Sequence, residues 1–347
     1  MRTVNYSEVL QLLSELAGIP YADLPTATAL TYRGALSRYF RKAWEVEYWP
    51  ELTRTDQRYY RAEYAFLTSY PPPTTASASE VWFSGPQAYY QALVSTAGNV
   101  PATLAAGIYT TNAAYWANCA ASYSGSDWTA STAYTVGSVV RYPTNNRFYQ
   151  CHTAHTSGLS FDAAKFGILT PFDKYVGYAQ TGFTAIGDVR DVYTKNPLVN
   201  KTYATSNWTL SQNGVQVPNG PAVVWLEYRT RFAPLIGGDW ASGSAYAVGD
   251  QVLFTSGSVK NFYTCAVVTT AGQSPTTHPA SWTILEIPYL FQPYMVHGAF
   301  ADVLRMDGQM DKAAQQERLA EQYLEIEAAK LFNLQPQQQR MDMSAAY

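Results

Sequence analysis

The most metal-like run in the chain is Cys151-His152-Thr153-Ala154-His155, a thiol followed by two imidazoles. A structural zinc site needs four ligands of this kind, and no second cluster supplies the rest. The run therefore reads as a strand cysteine followed by turn histidines. The corresponding Cys265 has no histidine near it. Neither cysteine has a base in a matched position that would make its thiolate a nucleophile. Carboxylate pairs such as Asp188/Asp191 and Glu325/Glu327 fall on amphipathic surfaces, whereas glycoside hydrolysis needs two carboxylates opposed across a cleft. No phosphate-cradling glycine loop, no His-Glu-x-x-His and no Gly-x-Ser-x-Gly is present. The expectation is a protein that is not an enzyme and uses no cofactor or metal.

Recurrent aromatics remain. Trp128 and Trp240, Tyr134 and Tyr246, and Tyr149 and Tyr263 occupy equivalent places, and Trp282 closes the later copy. A module of about 45 residues builds little core, so these rings serve that core first. The alternative is a stacking surface for sugar rings on Trp128, Tyr134, Trp240, Tyr246 and Trp282, which needs exposed flat faces.

These rings are positioned by an internal repeat. Asp127-Trp128 and Asp239-Trp240 open two copies. Ala133-Tyr134-Thr135-Val136-Gly137 answers Ala245-Tyr246-Ala247-Val248-Gly249, and Phe148-Tyr149-Gln150-Cys151 answers Phe262-Tyr263-Thr264-Cys265. The copies close on Phe166-Gly167-Ile168-Leu169 and Trp282-Thr283-Ile284-Leu285. A decayed third copy precedes them. Val81-Trp82-Phe83 lies on Val140-Arg141-Tyr142, Tyr89-Tyr90-Gln91-Ala92 on Phe148-Tyr149-Gln150-Cys151, and Trp116 on Trp282. Its opening Asp-Trp and glycine turn are missing. Repeats of this size define the architecture before any single element does.

The chain has 347 residues and a net charge of −3, so no global basic footprint marks a nucleic-acid binder. Only 14% of residues are charged and 28 are tyrosine. Against roughly 25% charged in average chains, this predicts a β-rich surface made for contact with protein or sugar. Three cysteines form no disulfide framework. No signal-like region or long apolar run is seen, so we expect folding in a reducing cytoplasm without a membrane span.

In chain order, Asn5 to Gly18 reads as a helix with a capping box to Glu8 and an apolar stripe of Val9, Leu12, Leu13 and Leu16. A second helix runs from about Thr26 to Tyr48. Its Arg33, Arg38, Arg41 and Lys42 form a solvated face or one that meets an acidic partner or DNA in a lumen. Tyr59 to Leu67 reads as a strand, and the proline-rich run from Pro71 to Ser79 as a linker into the first repeat. Thr184–Tyr193 alternates as a half-buried strand. Trp208–Leu210, Gly214–Val217 and Val223–Arg229 are further strands, with a hairpin turn at Asn213-Gly214. Helices return at Tyr294–Met306 and from Asp311 to about Leu334.

The predicted class is α+β. Helical parts at 1–70 and 288–334 and a small antiparallel β region at 171–235 form one body. Modules at 79–118, 127–170 and 239–287 are inserted and project outward, and 335–347 is a polar tail.

Asp239-Trp240, Tyr246, Gly249-Asp250, Val252, Tyr263, Cys265 and Trp282 resemble the small chitin- and cellulose-binding β-modules of bacterial chitinases. In the second copy Ser138 replaces the Asp and Phe166 the Trp. The remainder, notably Ile186-Gly187-Asp188-Val189, Asn196-Pro197 and the helical ending Tyr294–Leu334, resembles tailed-phage head-to-tail adaptor (connector) proteins. That resemblance implies a virion neck protein assembled in the host cytoplasm as a twelve-fold ring. Its partners would be further copies, the portal protein and a tail or tail-completion protein, with DNA only passing through a lumen. Arg38, Arg41, Tyr323, Leu331, Phe332, Leu334 and Arg340 are the candidate ring or portal contacts. The alternative is a carbohydrate-binding attachment protein of the tail tip or fibre that binds surface polysaccharide.

Overall fold

The computed structural model describes residues 2–73, 79–180, 182–199 and 207–334, with side chains through Leu331. The chain is mixed α and β, with small, mostly antiparallel sheets and a C-terminal helix pair. It divides into two compact units, residues 1–53 with 232–347, and residues 54–231.

Among the described residues the first unit holds four α-helices: α1 (Tyr6–Leu16), α2 (Thr26–Val46), α3 (Gln292–Met306) and α4 (Met310–Leu334). Thr3–Asn5 pairs antiparallel with Glu286–Pro288, so the two distant segments enter the helices side by side. At the start of α1 the Glu8 carboxylate accepts the Asn5 backbone N–H at 3.0 Å, as a capping box should. The helix stops at Leu16, short of Gly18, whose φ of 71° favours glycine. One core joins Val9, Leu10 and Leu13 of α1, Leu36, Tyr39 and Phe40 of α2, and Met295, Val296 and Ala299 of α3. At Gly298 any Cβ would lie 2.3 Å from the Tyr39 ring, so only glycine lets α2 and α3 approach this closely. Arg38 of α2 also reaches Asp302 of α3 at 2.6 Å.

The third repeat belongs to this unit. It does not project from the helices; its middle strand (Val259–Cys265) turns Phe262 into their core, 4.9 Å from Tyr6 in an edge-on contact. The neighbouring Asn261, also buried, accepts the Ser7 backbone N–H at 3.0 Å. A free donor of the first turn of α1 is thus satisfied from outside the helix. This corrects the expectation of an outward module.

In the second unit, Val223–Thr230 is the middle strand between Ile186–Tyr193 and Thr53–Tyr59. Ile186–Tyr193 carries two register shifts and does not alternate strictly, because bulges at Gly187 and Arg190 each switch the face of the residues after them. A second small sheet joins Tyr175–Val176, Gly214–Gln216 and Thr209–Ser211. The hairpin centres on Gln212 and Asn213, since Ser211 pairs with Gly214. Val192, Val215, Val224, Leu226 and Tyr228 form the core between them.

The segment expected as a strand at Tyr59–Leu67 is divided. Its start ends the strand Thr53–Tyr59, and its remainder opens the first repeat. Glu63 bridges Trp82 in parallel, and the Tyr64 N–H reaches the Trp82 carbonyl at 2.8 Å. Asp127 and Asp239 pair in parallel with Arg141 and Leu253. Trp128 and Trp240 donate to those residues at 2.8 and 2.9 Å. The backbone N–H groups of Ala65, Thr129 and Ala241 then reach the hydroxyls of Tyr70, Tyr134 and Tyr246, each at 2.8 Å. The first copy therefore has its opening pair, as Glu63-Tyr64. The module thus begins before the proline-rich run expected as a linker, of which 74–78 lie outside the described residues.

Candidate binding surfaces

Each module hangs on one hairpin and one closing strand, in the same register throughout. Val81 faces Tyr90, Val140 faces Tyr149, and Val252 faces Tyr263. Ala92, Cys151 and Cys265 face Trp116, Phe166 and Trp282. The two intact glycine turns close alike. Gly137 and Gly249, at φ 92° and 95°, donate to the carbonyls of Cys151 and Cys265 at 2.7 and 2.8 Å. Ser138 does the work of Asp250: its hydroxyl accepts the Thr135 N–H at 3.2 Å, as the Asp250 carboxylate accepts that of Ala247 at 2.8 Å.

Alternation along the middle strand gives every module two faces. One is its own core. Tyr134 and Trp282, at 8% and 6% exposure, belong to it, and the Trp282 indole donates to the Gln273 carbonyl at 3.1 Å. A ring so placed offers no face to a sugar. Trp128, Trp240 and Tyr246 are half-buried against the same cores. Trp128 and Trp240 stand edge-on to Tyr142 and Phe254. The Cys151 and Cys265 thiols donate to the carbonyls of Thr153 and Val267 at 3.2 and 3.0 Å, and burial raises the Cys151 pKa. The Cys151 sulfur lies 3.8 Å from His155 Nδ1, but no metal-binding group of three or more such side chains forms among the described residues.

The other face docks. Tyr89 of the first module enters the core of the second unit. Phe148 of the second module packs with Leu93, Ala117 and Leu169. Two buried glutamines at equivalent positions cross between these modules. Gln91 Nε2 donates to the Ile168 carbonyl at 2.7 Å, and Gln150 Nε2 to that of Trp116 at 3.3 Å. Gly167 is obligatory there, because a Cβ would fall 2.7 Å from that of Leu93. In the third module Phe262 spends the same face on α1.

Among the described residues, the helical unit keeps an exposed apolar face. Leu12 and Leu16 of α1 and Tyr323 and Ile326 of α4 are exposed. With Pro293, Val296 and His297, the first three line a groove of about 440 Å³. Tyr323 stacks on His297 at 5.4 Å. Of the other predicted contacts, Arg38 is tied to Asp302. Arg41 pairs with Glu45 one turn on, at 2.8 Å. Leu331 packs against the helical core. Arg340 lies outside the described residues, as do the side chains of Phe332 and Leu334.

Sequence reading missed two buried arginines. Arg58 is fully buried, donating to Asp56, to the Thr184 carbonyl and to the Tyr228 hydroxyl. Arg61 meets the buried Glu80 at 2.6 Å. Burial raises the Glu80 pKa against the opposing pull of Arg61. No local pattern announces either residue, since their partners are remote or on a strand that reads as surface.

No helix among the described residues is long and apolar enough to cross a membrane. Compared with known proteins, the chain matches no family model, no curated protein and no solved structure.

Proposed function

We propose that this chain is a ring-forming structural protein of a tailed-phage particle, an adaptor at the junction of head and tail. The observation that carries the reading is the apolar face of the helical unit, Leu12, Leu16, Tyr323 and Ile326. Apolar surface gathered on a folded body marks a protein contact, and the occupant that suits it is a second copy. Copies joined by unlike patches form rings where the rotation between them closes. The docked modules also support a structural role, because their second faces are used for packing and two of the five candidate sugar-stacking rings are closed inside the module cores.

Electron microscopy of the purified chain, alone and on particles carrying a specific antibody, tests the proposal. Rings are expected, with label at the neck. Leu12→Asp with Leu16→Asp should abolish assembly while leaving the melting temperature within a few degrees. Label confined to fibres, or no label on particles, would sink the reading. So would glycan capture that Trp240→Ala abolishes without unfolding.

A further inference from the structure

We propose that the second module binds a carboxylated sugar, of hexuronic acid chemistry, in a pocket of about 530 Å³ where the chain enters and leaves the module. Three segments line this pocket: 121–123 ahead of the module, 146–148 on its hairpin, and 168–171 at and beyond its closing strand. Short bonds fix the walls. The Leu169 N–H reaches the Phe148 carbonyl, and the Phe172 N–H the Ala120 carbonyl, both at 2.9 Å. The Tyr123 hydroxyl accepts the Ala120 N–H at 3.3 Å.

The hairpin of this module carries two arginines in different company. Arg141 is held by both carboxylate oxygens of Asp127, at 2.7 and 3.0 Å, and donates to the Asn146 side-chain oxygen at 3.2 Å. Arg147 lines the pocket, is exposed, and forms no ion pair among the described residues. No Asp or Glu lines the pocket with it. Asn146, its oxygen already taken, has its amide N–H groups left to donate, and Ser122 adds a hydroxyl. The floor is apolar: Leu169 is buried, and Tyr123 and Phe148 are half-buried against the same small core.

One cation, several neutral donors and an apolar floor select a ligand with a single negative charge. A guanidinium takes a carboxylate through two parallel N–H bonds. A phosphate monoester carries close to two charges, and no second cation lines the pocket to meet the remainder. An amino acid is excluded by its ammonium group, which would find no carboxylate here. The volume lies within the range of small-ligand sites, roughly 300–1,000 Å³. A uronic acid meets each condition. Its carboxylate suits Arg147, its hydroxyls suit Asn146 and Ser122, and its apolar ring face suits the aromatic surface of Tyr123 and Phe148. The site lies in the second unit and is independent of ring formation through the helices.

Titration of the full chain with methyl glucuronide and with methyl glucoside, followed by NMR, tests the site. The glucuronide should bind about tenfold or more tightly than the glucoside, as a hydrogen bond to a charged group warrants. Added salt should narrow that gap. Arg147→Gln should abolish it with an unchanged melting temperature, since the side chain is exposed, while Arg147→Lys should keep part of it. Ala121→Glu, which places a carboxylate in the pocket, should suppress glucuronide binding. Absence of saturable glucuronide binding overturns the proposal. So does equal affinity for the two sugars, or a preference that survives Arg147→Gln. Inorganic phosphate competing as well as the glucuronide would also overturn it, by making the pocket a general anion site.

Discussion

Arg58, in the strand Thr53–Tyr59, and Arg61, just past its end, keep different chemical company. Arg61 finds a carboxylate, Glu80, itself 1% exposed. Arg58 is held by Asp56, a main-chain carbonyl and the Tyr228 hydroxyl, with the Phe183 ring 4.3 Å from its guanidinium. Removing one member of a buried pair strands the other charge, at about 3–5 kcal/mol. Arg61→Met should therefore destabilise the second unit by about that amount in urea unfolding. Arg61→Met with Glu80→Leu should recover most of the loss. Equal losses in single and double variants would show the pair to be uncoupled. Tyr228 gives a second handle. Burial, and then its hydrogen bond to Asp56, hold its pKa up at about 12. The folded state thus keeps the phenol protonated beyond its ordinary range near 10. Its contribution is whole below pH 10 and is lost as the pH rises through about 12. Tyr228→Phe should flatten the fall of stability between those values, and an unchanged alkaline slope would rule the residue out. None of this was legible in the sequence. An arginine in an alternating strand ordinarily reads as solvent-facing, and the groups that neutralise these two are set by tertiary contact.

Among the elements, helix α1 and the third module depend on one another. Ser7 at the helix start gives its N–H to Asn261, and Tyr6 packs on Phe262. Losing a cap that is also buried costs about 1–2 kcal/mol. Asn261→Ala should lower stability by that much, and Asn261→Asp should restore it by keeping the acceptor. A neutral alanine would mean that the helix start finds another acceptor. The repeats were readable from spacing, and so were the helices from their stripes, because both follow from side-chain period. Which face of a module docks was not readable, since Phe148 and Phe262 sit at one repeat position and enter different cores. The opening of the first module escaped because Glu63-Tyr64 replaces Asp-Trp and stands on the far side of a proline-rich run.

At the scale of the whole molecule, the N-terminal and C-terminal helices meet in one core, and the exposed apolar positions lie on helices from both. Assembly through that face would link burial of Leu12 and Leu16 to that of Tyr323 and Ile326. The predicted loss of rings in the Leu12/Leu16 variant belongs at this scale. The candidate contacts read from sequence were cationic or C-terminal. They already included Tyr323; Leu12, Leu16 and Ile326 were hidden because stripe residues read as core until the packing shows which of them are left over.

Chain length also enters the stability of the first module. Its opening pair, Glu63-Tyr64, and its hairpin from Glu80 are joined by the run that begins at Pro71. The chain between these two anchored points joins parts of one module instead of tethering two bodies. Its length therefore acts through the entropy of closure, which grows only with the logarithm of the residue number. Inserted or deleted residues there would tune how readily one module forms, while leaving unchanged the reach between any two parts of the molecule.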